Sequence, residues 1–397
     1  MKTSIASALA LVLCAGTAHA QSQEPDPSPN PVEEQEVDAS QDGLPPEGSG
    51  EQVDAAAATV PIAGEGEKDE SWDVTAPRGA TLREVAINTD EGTWMDVDVS
   101  PDGRTLAFSL LGDIYTMPIS GGTPTRIAEG LAWEVQPRFS PDGNRLAFIS
   151  DRAGGDNLWI MNADGSNKLQ VTKEDFRLIN QPSWSPDGQY IVAKKHFTTQ
   201  RSLGTGEIWL YHVSGGGGVQ LVKRASEVLQ KELGEPIYAP DGNAIYYTRN
   251  VSPGPIFEYA QDSNAGIFNI ERYDIDTGEV TTAVGGYGGA VRPTPSPDGK
   301  KLAFVRRDKD QTQLWVKDLG TGEERMIYGS LDLDMQETWA VYGVYPMMDW
   351  MPDNSGLVVW AGGKLQRVSA DGSGAREIPF RINDTRKVAS APHPVID

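Results

Sequence analysis

The sequence predicts an all-β chain folded as a β-propeller of six recognisable four-stranded blades, and three observations carry that prediction. Pro-Asp-Gly, usually preceded by Ser, recurs at Pro101, Pro141, Pro186, Pro240 and Pro297, and a sixth copy, Pro352-Asp353-Asn354, has lost its glycine. Successive copies lie 40, 45, 54, 57 and 55 residues apart, and one propeller blade occupies roughly 40 to 45 residues, so the longer units carry insertions. Each copy sits among short runs of aromatic and β-branched residues punctuated by turn formers, and nothing in them favours a helical domain.

The second unit shows the grammar most plainly. Gln136 to Ser140 is a short alternating run, and Pro141-Asp142-Gly143 follows as a turn: Pro presets φ, Asp bonds the backbone and Gly supplies a positive φ. Arg145 to Ser150 is the next strand; after a polar loop, Leu158 to Met161 gives a third, Asp164-Gly165 a hairpin turn, and Lys168 to Thr172 a fourth. The other units repeat it. Leu106-Ala107-Phe108 and Leu302-Ala303-Phe304 match Leu146-Ala147-Phe148, while Asp113-Ile114-Tyr115, Glu207-Ile208-Trp209 and Gln313-Leu314-Trp315 match Asn157-Leu158-Trp159. A blade this small cannot bury its own faces; stacking neighbours around a ring does so, and closure removes exposed sheet edges.

Three segments precede or make up this array. Lys2, an apolar stretch from Ile5 to Ala15 and Ala18-His19-Ala20 predict a secretory signal peptide over 1–20, and with it a periplasmic or secreted location after cleavage near Ala20. Cys14, the only cysteine, leaves with it, so the mature chain is expected to hold neither disulfides nor thiolate metal sites. Residues 21–80 are expected to be a disordered acidic, Pro-rich linker: Gln21 to Glu70 has seven prolines, no aromatic residue and fourteen acidic residues against Lys68 alone. The propeller is expected over 81–397. The net charge of −23 argues against nucleic acid and anionic lipid as partners. No stretch after the signal approaches the roughly 18 apolar residues of a transmembrane segment.

Asp98-Val99-Ser100-Pro101-Asp102-Gly103 with Leu106-Ala107-Phe108 and Leu111-Gly112-Asp113-Ile114-Tyr115 resembles the TolB-type propeller repeat. Gly130-Leu131-Ala132-Trp133, Ser150-Asp151-Arg152, Trp209-Leu210-Tyr211-His212, Gly288 to Pro295 and Asp334 to Trp339 narrow the resemblance to large secreted amidohydrolases, in which such repeats precede a metal-dependent hydrolase barrel. That resemblance implies a catalytic half bearing paired metal-binding histidines. None maps here: His196, His212 and His393 are far apart and never form His-x-His. The strand register adds a second argument. Leu82 to Ile87 reads as an outermost strand, yet the sixth unit ends with its own, Ala375 to Pro379. Either one strand is spare or, as we expect, the chain is the front part of a longer array.

No catalytic, cofactor or metal residues are expected. No serine has glycine two residues to each side, as a strained nucleophile turn requires. Asp274 to Glu279 and Asn162 to Asn167 begin like calcium loops but lack the distal bidentate glutamate and fall where the repeat needs a hairpin turn. The glycine runs at 215–218 and 285–289 do not open helices, as a phosphate cradle must. Two sets of residues remain. Trp94, Trp133 with Glu134, Phe176 with Arg177, Arg292, and Glu337 with Trp339 lead into inner strands and are expected to ring one mouth of the channel, where a protein or peptide partner binds; the alternative places each Trp between blades. Lys194, Lys195, His196 and Arg201, with Phe197, are expected to form a basic loop for an anionic ligand or acidic partner, or a solvated loop that offsets the acidic propeller.

Overall fold

The computed structural model describes residues 73–175, 177–198, 204–225, 231–254, 262, 264–332 and 341–390. The expected signal peptide, most of the linker, Phe176, Arg201, Glu337 and Trp339 lie outside the described residues. Residues 73–80, the last of the expected linker, form turns that lead into the first strand.

The described chain has no helix and builds six antiparallel sheets of four strands, each from consecutive strands. After β1 (Leu82–Thr89), blade one comprises β2 (Val97–Val99), β3 (Thr105–Leu110), β4 (Asp113–Pro118) and β5 (Thr125–Ala128). Blade two is β6 (Glu134–Phe139), β7 (Arg145–Ser150), β8 (Asn157–Asn162) and β9 (Leu169–Gln170). Blade three is β10 (Leu178–Trp184), β11 (Tyr190–Thr198), β12 (Gly204–His212) and β13 (Val219–Val222). Blade four is β14 (Leu233–Tyr238), β15 (Ala244–Asn250), β16 (Phe268–Asp274) and β17 (Val280–Val284). Blade five is β18 (Val291–Pro295), β19 (Lys301–Asp308), β20 (Gln311–Asp318) and β21 (Glu324–Leu331). Blade six is β22 (Asp349–Trp350), β23 (Gly356–Ala361), β24 (Lys364–Ser369) and β25 (Ala375–Ile378), and β26 (Ile382–Ala389) follows.

The Pro-Asp-Gly turn is a small hydrogen-bond machine. The Ser100 hydroxyl donates to Asp102 Oδ1 (2.6 Å), Arg104 N donates to the same oxygen (3.1 Å), and Thr105 N donates back to Ser100 Oγ (2.9 Å). Gly103 takes φ +71°, which the missing Cβ allows. The same bonds recur at Ser140, Ser185 and Ser296. They hold the carboxyls of Asp102, Asp142, Asp187 and Asp298 below the usual range, because each bond favours the charged form. The calcium-like Asp274 segment is likewise a hairpin turn, its carboxylate accepting from Thr277 N (3.0 Å) and Oγ1 (2.9 Å).

The second strand of each blade is buried by the blades on both sides, which is why it reads as a continuous apolar run rather than an alternating one. Leu106, Ala107, Phe108 and their counterparts at 146–148 and 302–304 are all fully buried. Each large side chain so placed contributes about 1.5–3 kcal/mol of transfer free energy.

No strand is shared across the seam between blades one and six. One apolar cluster crosses it instead, from Phe108 and Tyr115 through Trp350 and Leu357 to Val305 and Leu314 of blade five. Hydrogen bonds run from Val97 N to Met347 O (3.1 Å) and from Gly92 N to Gly363 O (2.9 Å). A buried ionic knot ties three blades together: Arg138 of blade two donates to Asp98 of blade one (2.6 Å), and Asp349 of blade six accepts from Val99 N (3.1 Å). Burial, reinforced by the charge of Asp98, pushes the Asp349 carboxyl up to about 8.

The expected surplus strand has a partner. β1 pairs antiparallel with β26, from Leu82 opposite Ala389 to Thr89 opposite Ile382, outside the six blades, so it is neither spare nor the edge of blade six. The outgoing chain crosses the seam onto blade one. Gly122 bridges Phe380, Arg126 reaches Asp384 (3.3 Å), and both Arg126 (3.5 Å) and Arg386 (3.2 Å) reach Asp113. Asp113 is buried, and burial pushes its carboxyl up to about 6 against the pull of those guanidiniums.

The segment before blade six, residues 341–345, is bound across the central axis. Val341 O accepts from Gln181 Nε2 (3.4 Å) and Lys194 Nζ (3.3 Å), and Tyr342 O accepts from Gln136 Nε2 (2.8 Å) and Arg292 Nη2 (3.4 Å). Val344 N donates to Glu235 Oε1 (2.7 Å), and Arg292 Nε donates to Tyr345 O (2.7 Å). Blades two to five thus all grip one strap.

Two outcomes follow from this architecture. Gly343 sits in the strap at φ +114°, where a Cβ would run into Arg292 Nη2, Glu235 Oε1 and Gln181 Nε2; Gly343→Ala is expected to lower stability by about 1–3 kcal/mol, read from denaturant midpoints. Asp96, Asp113 and Asp156 at about 6 and Asp349 at about 8 hold protons that the unfolded chain releases near 3.8. Their stabilising contribution is therefore complete at low pH and is lost as pH rises to about 8. Thermal melts across that window should fall, and Asp349→Asn should flatten the upper part of the fall.

Candidate binding site

The inner strands begin at the strap and end at the Pro-Asp-Gly turns, so the axis has two unlike mouths. The turn-side mouth is an open recess of about 340 Å³, walled by Phe139, Trp184, Tyr238 and Trp350 and containing the Asp98, Arg138 and Asp349 knot. Both of its indole N–H groups are engaged: Trp184 Nε1 donates to Arg138 O (3.0 Å) and Trp350 Nε1 to Thr294 O (2.8 Å).

The strap-side mouth is built differently. Between blades one and two lies a cavity of about 400 Å³ lined by Trp94, Trp133, Tyr342, Leu111, Val135, Ser109 and Asp96. Trp133 precedes β6 and lies flat over Gly112, where a Cβ would meet its indole; its own N–H donates to Asp151 Oδ1 (2.7 Å), and 45% of it stays exposed. The Tyr342 hydroxyl donates to Asp156 Oδ2 (3.0 Å), which fixes the ring. Burial pushes the Asp156 carboxyl up to about 6 and the Tyr342 phenol well above its ordinary value.

Asp96 is the one carboxylate among the described residues that line the cavity. It is 1% exposed, accepts from Met347 N (2.8 Å) and Ser109 Oγ (3.3 Å), and forms no ion pair among the described residues. Burial pushes its carboxyl up to about 6, against the more distant pull of Arg292 and Arg138. The Trp94 indole N–H is buried without a partner among the described residues.

Of the expected channel-mouth set, the structure brings Trp94 and Trp133 together at this cavity. Glu134 is fully buried and engaged by Arg152 and Ser150. Arg292 lies beneath the strap, 3% exposed and paired with Glu235 (3.1 Å), so it offers a partner nothing. Arg177 is elsewhere, stacked over Phe197 at 4.6 Å in blade three.

The expected basic loop is not a loop. Lys194, Lys195 and His196 lie in β11, which pairs with β12 from Tyr190 opposite His212 to Thr198 opposite Gly204. Lys194 is fully buried against Glu232, and Lys195 bonds Glu174 (2.6 Å) while lying 4.6 Å from the Trp209 ring centre. Burial pushes His196 down to about 3, so its ring is neutral. Carboxylates 38 and 21 residues away in sequence neutralise what looked like free charge. No group of three or more His, Cys, Asp or Glu among the described residues is placed to hold a metal ion.

Gln136, Gln181 and Glu235 were missed as axis residues, and Arg292 was expected at a mouth rather than beneath the strap. Gln136, Gln181, Glu235 and Arg292 all take φ between +54° and +59°, each at a register shift in its inner strand. Gln136 Oε1 accepts from Gln181 N (2.7 Å), Gln181 Oε1 from Glu235 N, and Glu235 Oε2 from Arg292 N (2.6 Å), so each side chain holds the next blade's bulge. A readable sign existed: each is followed by proline, at 137, 182, 236 and 293, three residues before the Ser or Ala of the turn motif. Proline lacks the donor that a bulge would leave without a ladder partner.

Comparison with known proteins agrees with this architecture. Residues 80–251 match the family model described as PD40, the TolB beta propeller domain. The chain is 28% identical over 194 residues to the uncharacterized peptidase YuxL of Bacillus subtilis, a match that takes in 40% of this chain and 29% of that protein. It is 26% identical over 185 residues to the Tol-Pal system protein TolB of Helicobacter hepaticus, covering 46% and 41% respectively. The chain therefore spans less than half the length of these two curated relatives. The crystal structure of TolB from Acinetobacter baumannii superposes with a TM-score of 0.54 at 19% identity, over 74% of this chain and 64% of that one. Repeat, blade topology and likeness converge on one statement: this chain carries a TolB-like β-propeller.

Proposed function

We propose that this propeller is a binding module for a protein or peptide partner, acting in the periplasm once a signal peptide is removed near Ala20. The observation that carries the reading is the contrast between the two mouths. The axis is crossed by the chain's own strap, and the far mouth holds the Arg138–Asp98 ion pair beside Asp349, whereas the strap-side cavity keeps an exposed tryptophan on an aromatic wall. Tryptophan in such a setting is the residue type enriched at binding hot spots. The relative named for the Tol-Pal system supports an interaction role. No helix among the described residues is long and apolar enough to cross a membrane. The module works without a cofactor or metal.

A second reading makes the propeller the access-limiting front portion of a metal-dependent amidohydrolase. It is favoured by the partial coverage of the peptidase relative and by the ribbon, which sets Ala389 beside Leu82 and so leads flanking chain off from one place. In that case coding sequence beyond Asp397 continues in frame to a His-x-His pair; an immediate stop codon sinks it.

The binding reading is checked by crosslinking the purified protein in an envelope extract and comparing wild type with Trp133→Ala. One protein or peptide should crosslink at near-stoichiometric yield and drop about tenfold in the variant, the loss of about 1.4 kcal/mol expected for a hot-spot side chain. Identical capture by both proteins removes the strap-side mouth from the account.

A further inference from the structure

We infer that the strap-side cavity is a subsite for an organic cation, an ammonium or guanidinium group, held against the rings of Trp94, Trp133 and Tyr342 and facing the carboxylate of Asp96. The inference rests on the reading of this mouth as a binding surface and gives that surface a ligand chemistry.

Three observations support it. Three aromatic rings line a single cavity of about 400 Å³, large enough for a trimethylammonium head or the end of a lysine or arginine side chain. A cation within about 6 Å of a ring centre is attracted by the ring's quadrupole, most strongly by tryptophan, and more so when the site is dry. Asp96 is a carboxylate 1% exposed whose contacts are one backbone N–H and one hydroxyl, with no ion pair among the described residues. Buried carboxylates are ordinarily paired with a positive charge, and a ligand cation would supply the one this cavity lacks. Asp151 and Asp156 brace the other two walls, through Trp133 N and the Tyr342 hydroxyl, so the surroundings repel an anion. An uncharged apolar ligand would fill the volume and leave Asp96 without a cation in contact, its only positive charges being the more distant Arg292 and Arg138. A cation suits the aromatic walls and the acidic surroundings together.

The chemistry could come from a free quaternary amine or from a lysine or arginine side chain of a peptide. The experiment separates them: isothermal titration of the full chain with choline, with its uncharged carbon isostere dimethylbutanol, and with the N-acetyl methylamides of lysine and arginine. Choline is expected to bind at least about tenfold more tightly than the isostere, a difference of about 1.4 kcal/mol. Binding of the amino-acid amides as well assigns the site to peptide side chains; binding of choline alone assigns it to free amines, and both uphold the site. Asp96→Asn should abolish the preference for charge. Because Asp96 is buried and that variant could misfold, Trp133→Ala, at a half-exposed position, provides the independent arm and should weaken choline about tenfold with an unchanged melting profile. Equal binding of choline and the isostere, or no binding of any cation, overturns the inference. A failed crosslink with choline binding intact removes the protein-partner reading and leaves the cation site standing.

Discussion

The innermost strands of a propeller ring turn backbone groups and side chains toward an axis that no neighbouring blade fills, and every buried N–H and C=O there needs a partner. This chain meets the constraint by kinking each of four inner strands at a positive-φ residue and passing hydrogen bonds from one kink to the next. The strap at 341–345 then occupies further side-chain donors and acceptors at Gln136, Glu235 and Arg292. Blade orientation, the burial of Arg292 and the placement of Tyr342 all descend from that arrangement. The strap thereby binds the inner strands of blades two to five to one segment of chain.

The turns and second strands were legible because their signals are local. Pro, Asp and Gly at fixed offsets can do little but turn, and Leu146-Ala147-Phe148 is apolar on both faces because both faces are covered. What the sequence concealed was non-local. Nothing in Arg381 to Ala389 announces a strand that pairs with residues 300 positions earlier, since its alternation is mostly polar and its partner is remote. Lys194, Lys195 and His196 looked solvated because Glu232 and Glu174 are distant in sequence, and only the fold brings them close. Trp94 and Trp133 were readable as a pair, while Asp96 and Tyr342 were not: one is a single acid among many, and the other belongs to an insertion outside the repeat.

Charge in this protein is managed by position rather than by balance. Exposed turn aspartates are held ionised by their own serines, whereas Asp96, Asp113, Asp156 and Asp349 are drawn upward by burial. The acidic groups that matter to architecture thus sit at joints: the blade seam, the clasp on blade one, and the wall beside the strap. Buried ion pairs such as Asp98–Arg138 and Asp113–Arg386 are weak sources of net stability, because desolvation offsets much of the attraction, but removing one member leaves a costly unpaired charge. They specify which blade meets which.

The β1–β26 ribbon has a mechanical meaning. Its two strands run antiparallel with Leu82 and Ala389 together at the free end and Thr89 and Ile382 together at the ring. Tension pulling the flanking chain apart would load the outermost pair first and peel the ribbon one rung at a time. Each rung holds only about 0.5–1.5 kcal/mol, so force would be spent in the outer rungs, Leu82–Ala389 to Glu84–Lys387, before reaching Arg386, opposite Val85, and its anchor on Asp113. The ring would be sheltered by a fuse that yields first and can re-zip in register.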